Sequence, residues 1–355
     1  MPTTTTAATA TGSGSGNTGS ADGGSDSSSS GGDEESADST TTGPEGPPPE
    51  CVDTVEAAEA LLAALDAGQA DTARYDWMDA ERTGFEFLPP NSAARNGLSL
   101  RDVDDAQRAL AEALLQAAMS DPGFGKVAEI RALESVLAMN EEGVPVSDNR
   151  DPDNYFITIF GTPNVDGGTP WGWRFEGHHL SIHGSMLDCE RFSATPAFWG
   201  ASPMLDPIAD EVDLALQLWG ALDGMQQGQA DVPIGTAAVD VRSGLLDPLA
   251  FEGIAAGDLS AEQEGLLRDL VAEFAGNMNA PVAAQRIEAI EAAGFDEVRF
   301  AYDSGNGNWR VLGPSFVIEF IYAGATHVHS VWRDYQGDYG EDLIARHMAR
   351  HHHHH

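Results

Sequence analysis

The sequence predicts an α+β fold in which two similar helix–helix–hairpin halves, related by internal duplication, pack as one globular domain behind a disordered linker. Three observations carry that reading. The first fifty residues hold almost nothing that can build a core; blocks of helical period then give way to blocks of strand period; and the same block order comes round a second time.

From Met1 to Pro49 there is no Val, Leu, Ile or aromatic residue, only Thr, Ser, Gly, Ala, Pro, Asn and acids after the initiator. No apolar burial is available there to offset the entropy of ordering the chain, so residues 1–50 read as a disordered Thr/Ser/Gly/acidic linker. Residues 351–355 are five histidines and read as a purification tag. The globular domain is expected over 51–348, its first half at about 51–205 and its second at about 206–348.

Asp53-Thr54-Val55-Glu56 has the form of a capping box and predicts a helix running to Gly68. Residues 99–119 carry apolar groups at helical spacing, and 126–139 repeat the pattern. The period then changes to that of strands. YFITIFGTP (155–163) and WGWRFEGHHLSI (171–182) are β-type runs, separated by a Gly/Pro loop that suits a hairpin. Helical patterns return near 209–229, 260–275 and 281–293, and VRFAYDSGNGNWRVLGPSFVIEF follows as a second hairpin pattern. Set side by side, Trp173-Arg174-Phe175-Glu176-Gly177 matches Trp309-Arg310-Val311-Leu312-Gly313. Leu180-x-Ile182 matches Phe316-x-Ile318, and the preceding helical segments correspond from Leu98-Ser99 and Leu259-Ser260.

The chain carries 57 acids against 18 bases, and Lys126 is its one lysine. Eight acids precede Cys51, so the globular part still holds 49 against the same 18. Such a field repels nucleic acid and anionic membranes, and it suits solubility in a salty medium. The two cysteines, Cys51 and Cys189, lack any metal-ligand spacing. They read either as one disulfide in an exported protein or as two buried thiols. No transmembrane run is visible, and a long Thr/Ser/Gly linker ahead of a domain suits tethering at a cell surface or in a periplasm, with a lipid anchor in the precursor.

Histidine is concentrated where the hairpins lie. His178 and His179 close the stretch WGWRFEGHH, and the second copy has Pro314 and Ser315 in their place, so the pair serves something that only one half does. His327 and His329 form an H-x-H that, on a strand, aims two imidazoles the same way. With His178 or His179 these make a candidate site for a divalent transition metal, Zn, Cu or Fe, in which Asp334 and Asp338 serve as a further ligand or as acceptors behind the ligands. In an unbroken strand, Trp171, Trp173, Phe175, His179 and His183 share one face while Arg174, Glu176 and His178 share the other, and a bulge at Gly177 would turn both histidines inward. Arg174, Glu176 and Asp334 are the catalytic candidates: Glu176 to orient an imidazole or move protons, Arg174 to hold an anionic group. Trp171, Trp173 and Trp332 read as core packing or as an aromatic wall for a flat or sugar-like substrate.

IFGTP (159–163), WGWRFEGHHLS (171–181), TPAFWGASP (195–203), RNGLSL (95–100) and HVHSVWRDYQGDYG (327–340) resemble, in order and spacing, the motifs of the proteins grouped as domain of unknown function 3500. The resemblance spans roughly Tyr75 to His347. It implies no particular activity, but it places His178, His179, His327 and His329 in the family's motifs and leaves His183 outside them. Two functions follow as expectations. One is a metal-dependent hydrolase or oxidoreductase acting on a small, sugar-like or peptidic substrate; the other is a surface-tethered lipoprotein that binds a ligand without turning it over. No phosphate loop, nucleophile elbow or basic patch is present.

Overall fold

The computed structural model describes residues 46–203, 205–235, 246–343 and 345; the expected linker up to Glu45 and the tag at 351–355 lie outside them. The first helix, α1 (Pro49–Ala64), opens four residues before the predicted capping box. Proline at the first helical position loses no hydrogen bond and has φ already set, so the Pro-rich end of the linker starts the helix. Asp53 and Glu56 are exposed inside α1, and the capping box is instead Asp66 with Gln69, opening α2 (Ala67–Ala73). The chain continues through β1 (Arg74–Tyr75), β2 (Leu98–Ser99), α3 (Asp105–Ala118) and α4 (Asp121–Glu142). Five strands follow: β3 (Phe156–Phe160), β4 (Trp171–Gly177), β5 (Leu180–Leu187), β6 (Arg191–Ser193) and β7 (Ala197–Ala201).

The rest runs in a similar order. After α5 (Ala209–Ala221) and α6 (Gly224–Ala230) come β8 (Ile254–Ala255), α7 (Ala261–Ala275) and α8 (Ala280–Gly294). Then β9 (Arg299–Tyr302), β10 (Trp309–Leu312), β11 (Phe316–Gly324) and β12 (His327–Asp334) complete the sheet. The β2 strand is matched in place by β8, five residues earlier than the Leu259-Ser260 suggested by the sequence, and Ser260 caps α7 as Asp104 caps α3. In the first set Gln69 Nε2 donates to Gln107 Oε1 at 3.0 Å and Gln107 Nε2 to the carbonyl of Ala64 at 2.8 Å. In the second Gln226 Nε2 donates to Gln263 Oε1 at 2.9 Å and Gln263 Nε2 to Ala221 at 2.7 Å.

All twelve strands join one sheet in the order β1-β3-β4-β5-β7-β12-β11-β10-β9-β8, with β2 on β3 and β6 on β5. The two sets meet in its middle, where β7 pairs antiparallel with β12 and Gly200 faces His329. One face of the sheet carries Trp171, Trp173, Phe175, Ile182, Trp199 and Trp332, which share a core with Leu61, Leu114, Val127, Leu218 and Leu267 of the helices. Burying a side chain of this size stabilises by roughly 2–3 kcal/mol. The other face is crossed by the segment between β1 and β2, whose Phe85 and Phe87 pack on Phe198 and Val331.

The β-type run at 171–182 is two strands. It reverses at His178-His179, and the ladder resumes with Gly177 opposite Leu180, so no bulge forms at Gly177. This glycine is required because a Cβ there would lie 2.2 Å from the ring of Tyr155. The reversal also moves His183 to the face expected for Arg174 and Glu176, since it pairs with Arg174. Cys51 and Cys189 form a disulfide with Cα atoms 5.7 Å apart, tying the start of α1 to the turn after β5. No helix among the described residues is long and apolar enough to cross a membrane.

Candidate functional site

The two-residue turn between β4 and β5 puts His178 and His179 at the end of a hairpin, and His179 takes φ +64°. That conformation favours glycine or asparagine, and a histidine held in it marks a position fixed by its surroundings. Two backbone bonds fix it: the N–H of His179 donates to Phe87 O at 3.0 Å, and the N–H of Gly200 donates to His179 O at 2.8 Å. The ring then lies over Gly200, where a Cβ would stand 3.0 Å from His179 Cδ2. Because Gly200 is opposite His329 in the β7–β12 ladder, the turn delivers His179 to the H-x-H strand.

His179 Nε2 lies 2.9 Å from His327 Nε2, which lies 3.0 Å from His329 Nε2, and one nitrogen from each ring falls within 4.8 Å of the others. Four-coordinate zinc with bonds of about 2.0–2.1 Å spaces its ligand nitrogens about 3.3 Å apart, so the two close pairs need open by only a few tenths of an ångström while His179 and His329, within 4.8 Å, would draw together. Burial holds His179 well below the ordinary histidine range, and the neighbouring His178, His329 and His327 add to that. Burial also lowers His327 and takes His329 down to about 3. All three are therefore neutral near pH 7, the form in which imidazole ligates. His179 is buried while His327 and His329 are partly exposed, so the nitrogens are reached from the side of β12. Phe87 and Phe198, with ring centroids 5.4 and 5.2 Å from His329, wall the other side.

His178 does not join this cluster through its Nδ1. Its ring stacks on His179 at 3.8 Å, and Nδ1 is hydrogen-bonded to Glu134 of α4, with Arg150 Nη1 3.0 Å away. Arginine only donates, so Nδ1–H to Glu134 and N–H of Arg150 to Nδ1 are alternatives. Arg150 is anchored to Glu141 at 2.9 Å in either case. Sequence reasoning missed Glu134, Arg150, Phe87 and Gly200. Glu134, Arg150 and Phe87 stand in no spacing that signals a site, and Gly200, though within TPAFWGASP, carries no side chain to single it out.

The remaining candidates lie elsewhere. Arg174 is bound to Glu81 at 2.7 Å, to Glu176 at 3.2 Å and to the carbonyl of Gly84 at 3.1 Å. Glu176 also accepts from the N–H of Glu86 at 3.2 Å and from Ser181 at 3.3 Å, and burial raises its pKa. The pair thus holds down the segment that crosses the sheet, and along the ladders Phe198 comes next after Ser181. Trp171 and Trp173 are 0% and 2% exposed in the helix-side core. Trp332, on the same side, lies under the guanidinium of Arg286 at 4.0 Å and donates to Asp334 at 3.0 Å. Asp334 is further bound by Arg286 at 3.2 Å, and Asp338 is in a buried ion pair with Arg333, both at the far end of β12 from His327. His183 stacks on Phe85 at 5.6 Å with its nitrogens 3.1 and 3.2 Å from the carbonyls of Gly84 and Pro196, so the covering segment and the β6–β7 turn hold it.

Fold and site together define a mixed helix-and-sheet domain with a three-histidine cluster at the junction of β7 and β12. The chain belongs to the family described as protein of unknown function DUF3500, whose model matches residues 50–341. No curated protein and no solved structure matches it.

Proposed function

We propose that this protein is a metal-dependent enzyme, a hydrolase or oxidoreductase, whose His179, His327 and His329 hold one divalent transition metal, Zn, Cu or Fe. The observation that carries the reading is the convergence of three neutral imidazole nitrogens from two separate hairpins. Three nitrogen ligands leave coordination positions open, and a bound metal would supply Lewis acidity or an activated water or oxidant there. The chain's own part is to fix the rings: Gly200 and Phe87 set His179, His178 stacks on it under the hold of Glu134, and Phe87 with Phe198 keeps water from one side. Asp334 and Trp332 support β12 in this reading, and Arg174 and Glu176 keep the covering segment in place.

Two further readings accompany it. The recurrence of the Gln69/Gln107 ties as Gln226/Gln263, and of Trp173-Arg174 as Trp309-Arg310, supports an internal duplication. The disulfide supports an exported protein, and the Thr/Ser/Gly-rich N-terminal segment suits a tether at a cell surface or in a periplasm.

Elemental analysis tests the metal after the five tag histidines are removed and the protein is dialysed with Zn, Cu or Fe. One ion per chain is expected in the parent protein and a loss of stoichiometric binding in His179→Ala, His327→Ala and His329→Ala. Tag-free protein that takes up no ion, or variants that bind as the parent does, would sink the proposal.

A further inference from the structure

The tryptophans expected to meet a substrate are buried, yet an open cleft with an aromatic lining does exist at the end of the sheet nearest His327. Its volume is about 430 Å³, and it is lined by Tyr302, Asn306, Gly307, Tyr322, Gly324 and Ala325. Ligand pockets run from about 300 to 1,000 Å³. We propose that this cleft binds a ring of a neutral carbohydrate chain and that the chain passes from it over the β11–β12 turn to the three histidines.

The lining selects the ligand class. Both rings are held: Tyr302 stacks on Trp219 at 4.5 Å, and Tyr322 lies edge-on to Phe320 at 5.3 Å. Gly307, at φ +82°, lets the β9–β10 turn come up against them, since a Cβ there would be 3.2 Å from the ring of Tyr322 and 3.9 Å from the hydroxyl of Tyr302. The side chain of Asn306 is fixed by bonds to Ile234 O at 2.9 Å and to the N–H of Asn308 at 2.9 Å. Tyr302 is 8% exposed with one face on Trp219 and so backs the cleft, while the partly exposed ring of Tyr322, the side chain of Asn306 and the glycine backbone offer a stacking surface and hydrogen bonds in one place, which suits a ring bearing hydroxyl groups. Among the described residues no arginine or lysine lines the cleft to hold an anion, and no carboxylate lines it to hold a cation.

The second half of the proposal follows from the ladder. Tyr322 pairs with Val328 and Gly324 with His327, so the cleft and the histidines lie on either side of one turn. Partner Cα atoms in such a ladder are about 4.5–5.5 Å apart. The end of β11 and the turn after it, Ala323, Gly324, Ala325 and Thr326, are all exposed, with no bulky side chain in the way. Tyr322 faces the helix side of the sheet and His327 with His329 the other, so one ring cannot touch both. A chain of linked rings can. Binding in the cleft does not depend on the metal; delivery of the chain to a reacting centre rests on the metal reading above.

The test is titration calorimetry with ligand-observed NMR, using uncharged cello-, malto- and chito-oligosaccharides of one to five rings on full-length, disulfide-intact protein. Saturable binding of at least one series, tighter for longer chains, is expected. Tyr322→Ala should weaken it about tenfold or more, equivalent to about 1.4 kcal/mol, while Tyr322→Phe stays close to the parent. Ala325→Glu, at an exposed position, should weaken it without disturbing the fold. His327→Ala should remove the gain from added rings. No binding of any series at millimolar concentration, or equal affinity in Tyr322→Ala and Ala325→Glu, would overturn the proposal. A length gain untouched by His327→Ala would overturn the path over the turn alone. Metal content, measured separately, reports on the centre and not on the cleft.

Discussion

Gly200 lacks a side chain at the one place where the ring of His179 needs room, and that absence is as much a part of the site as the histidines. An added methyl would stand 3.0 Å from Cδ2 of the ring, in contact also with its Cγ and Cβ. The backbone of His179 is bonded on both sides, to Phe87 and to Gly200 itself, so the ring must yield by rotation. Gly200→Ala is therefore expected to keep the fold but turn Nε2 away from His327, lowering metal affinity by about 10–100-fold, the range found when ligand orientation is disturbed. Competition titration of tag-free protein against a chelator measures it, and an unchanged constant would show that Gly200 does not set the ring.

At the scale of elements, the β4–β5 and β11–β12 hairpins bring the histidines together, and the disulfide secures the helix in front of them. Cys51 and Cys189 are 138 residues apart in sequence. Cross-linking so long a loop removes chain entropy worth about 5 kcal/mol from the unfolded state in the loop-closure account. Replacing both with serine should lower stability by about 3–5 kcal/mol in urea unfolding, whereas an equal midpoint in reduced and oxidised protein would show that α1 docks without the bond. Most elements were legible in the sequence, because amphipathic helices and alternating strands write their period locally. The HH turn was not. Gly177 beside the pair reads as a bulge and Leu180 to Ile182 continue the β pattern, so only cross-strand pairing shows that the chain reverses there.

For the whole molecule, a formal charge of −39 opposes compaction at low ionic strength. Raising salt shortens the screening length from about 10 Å at 0.1 M to about 3 Å at 1 M and so weakens the repulsion. Thermal midpoints of the protein should therefore rise steadily from low to molar KCl. A flat or falling series would mean that the surface acids are already balanced by their ion pairs, such as those of Arg101 with Asp148 and Asp151.

The sequence by itself determined the mixed helix-and-sheet class, the family and the four histidines His178, His179, His327 and His329 as candidates, because period, motif order and an H-x-H on a strand are local properties of the chain, while the match begins at residue 50, well before the Tyr75 that the motifs marked. Tertiary structure alone decided which histidine of the pair at 178–179 faces the others, that Trp171 and Trp173 point into the helix-side core, and that Glu134 and Arg150 take up His178. Those outcomes depend on a two-residue turn and on the β7–β12 register, which set parity and neighbours between segments more than a hundred residues apart. A one-residue difference in either would exchange every inward and outward side chain, and nothing in local composition records that choice.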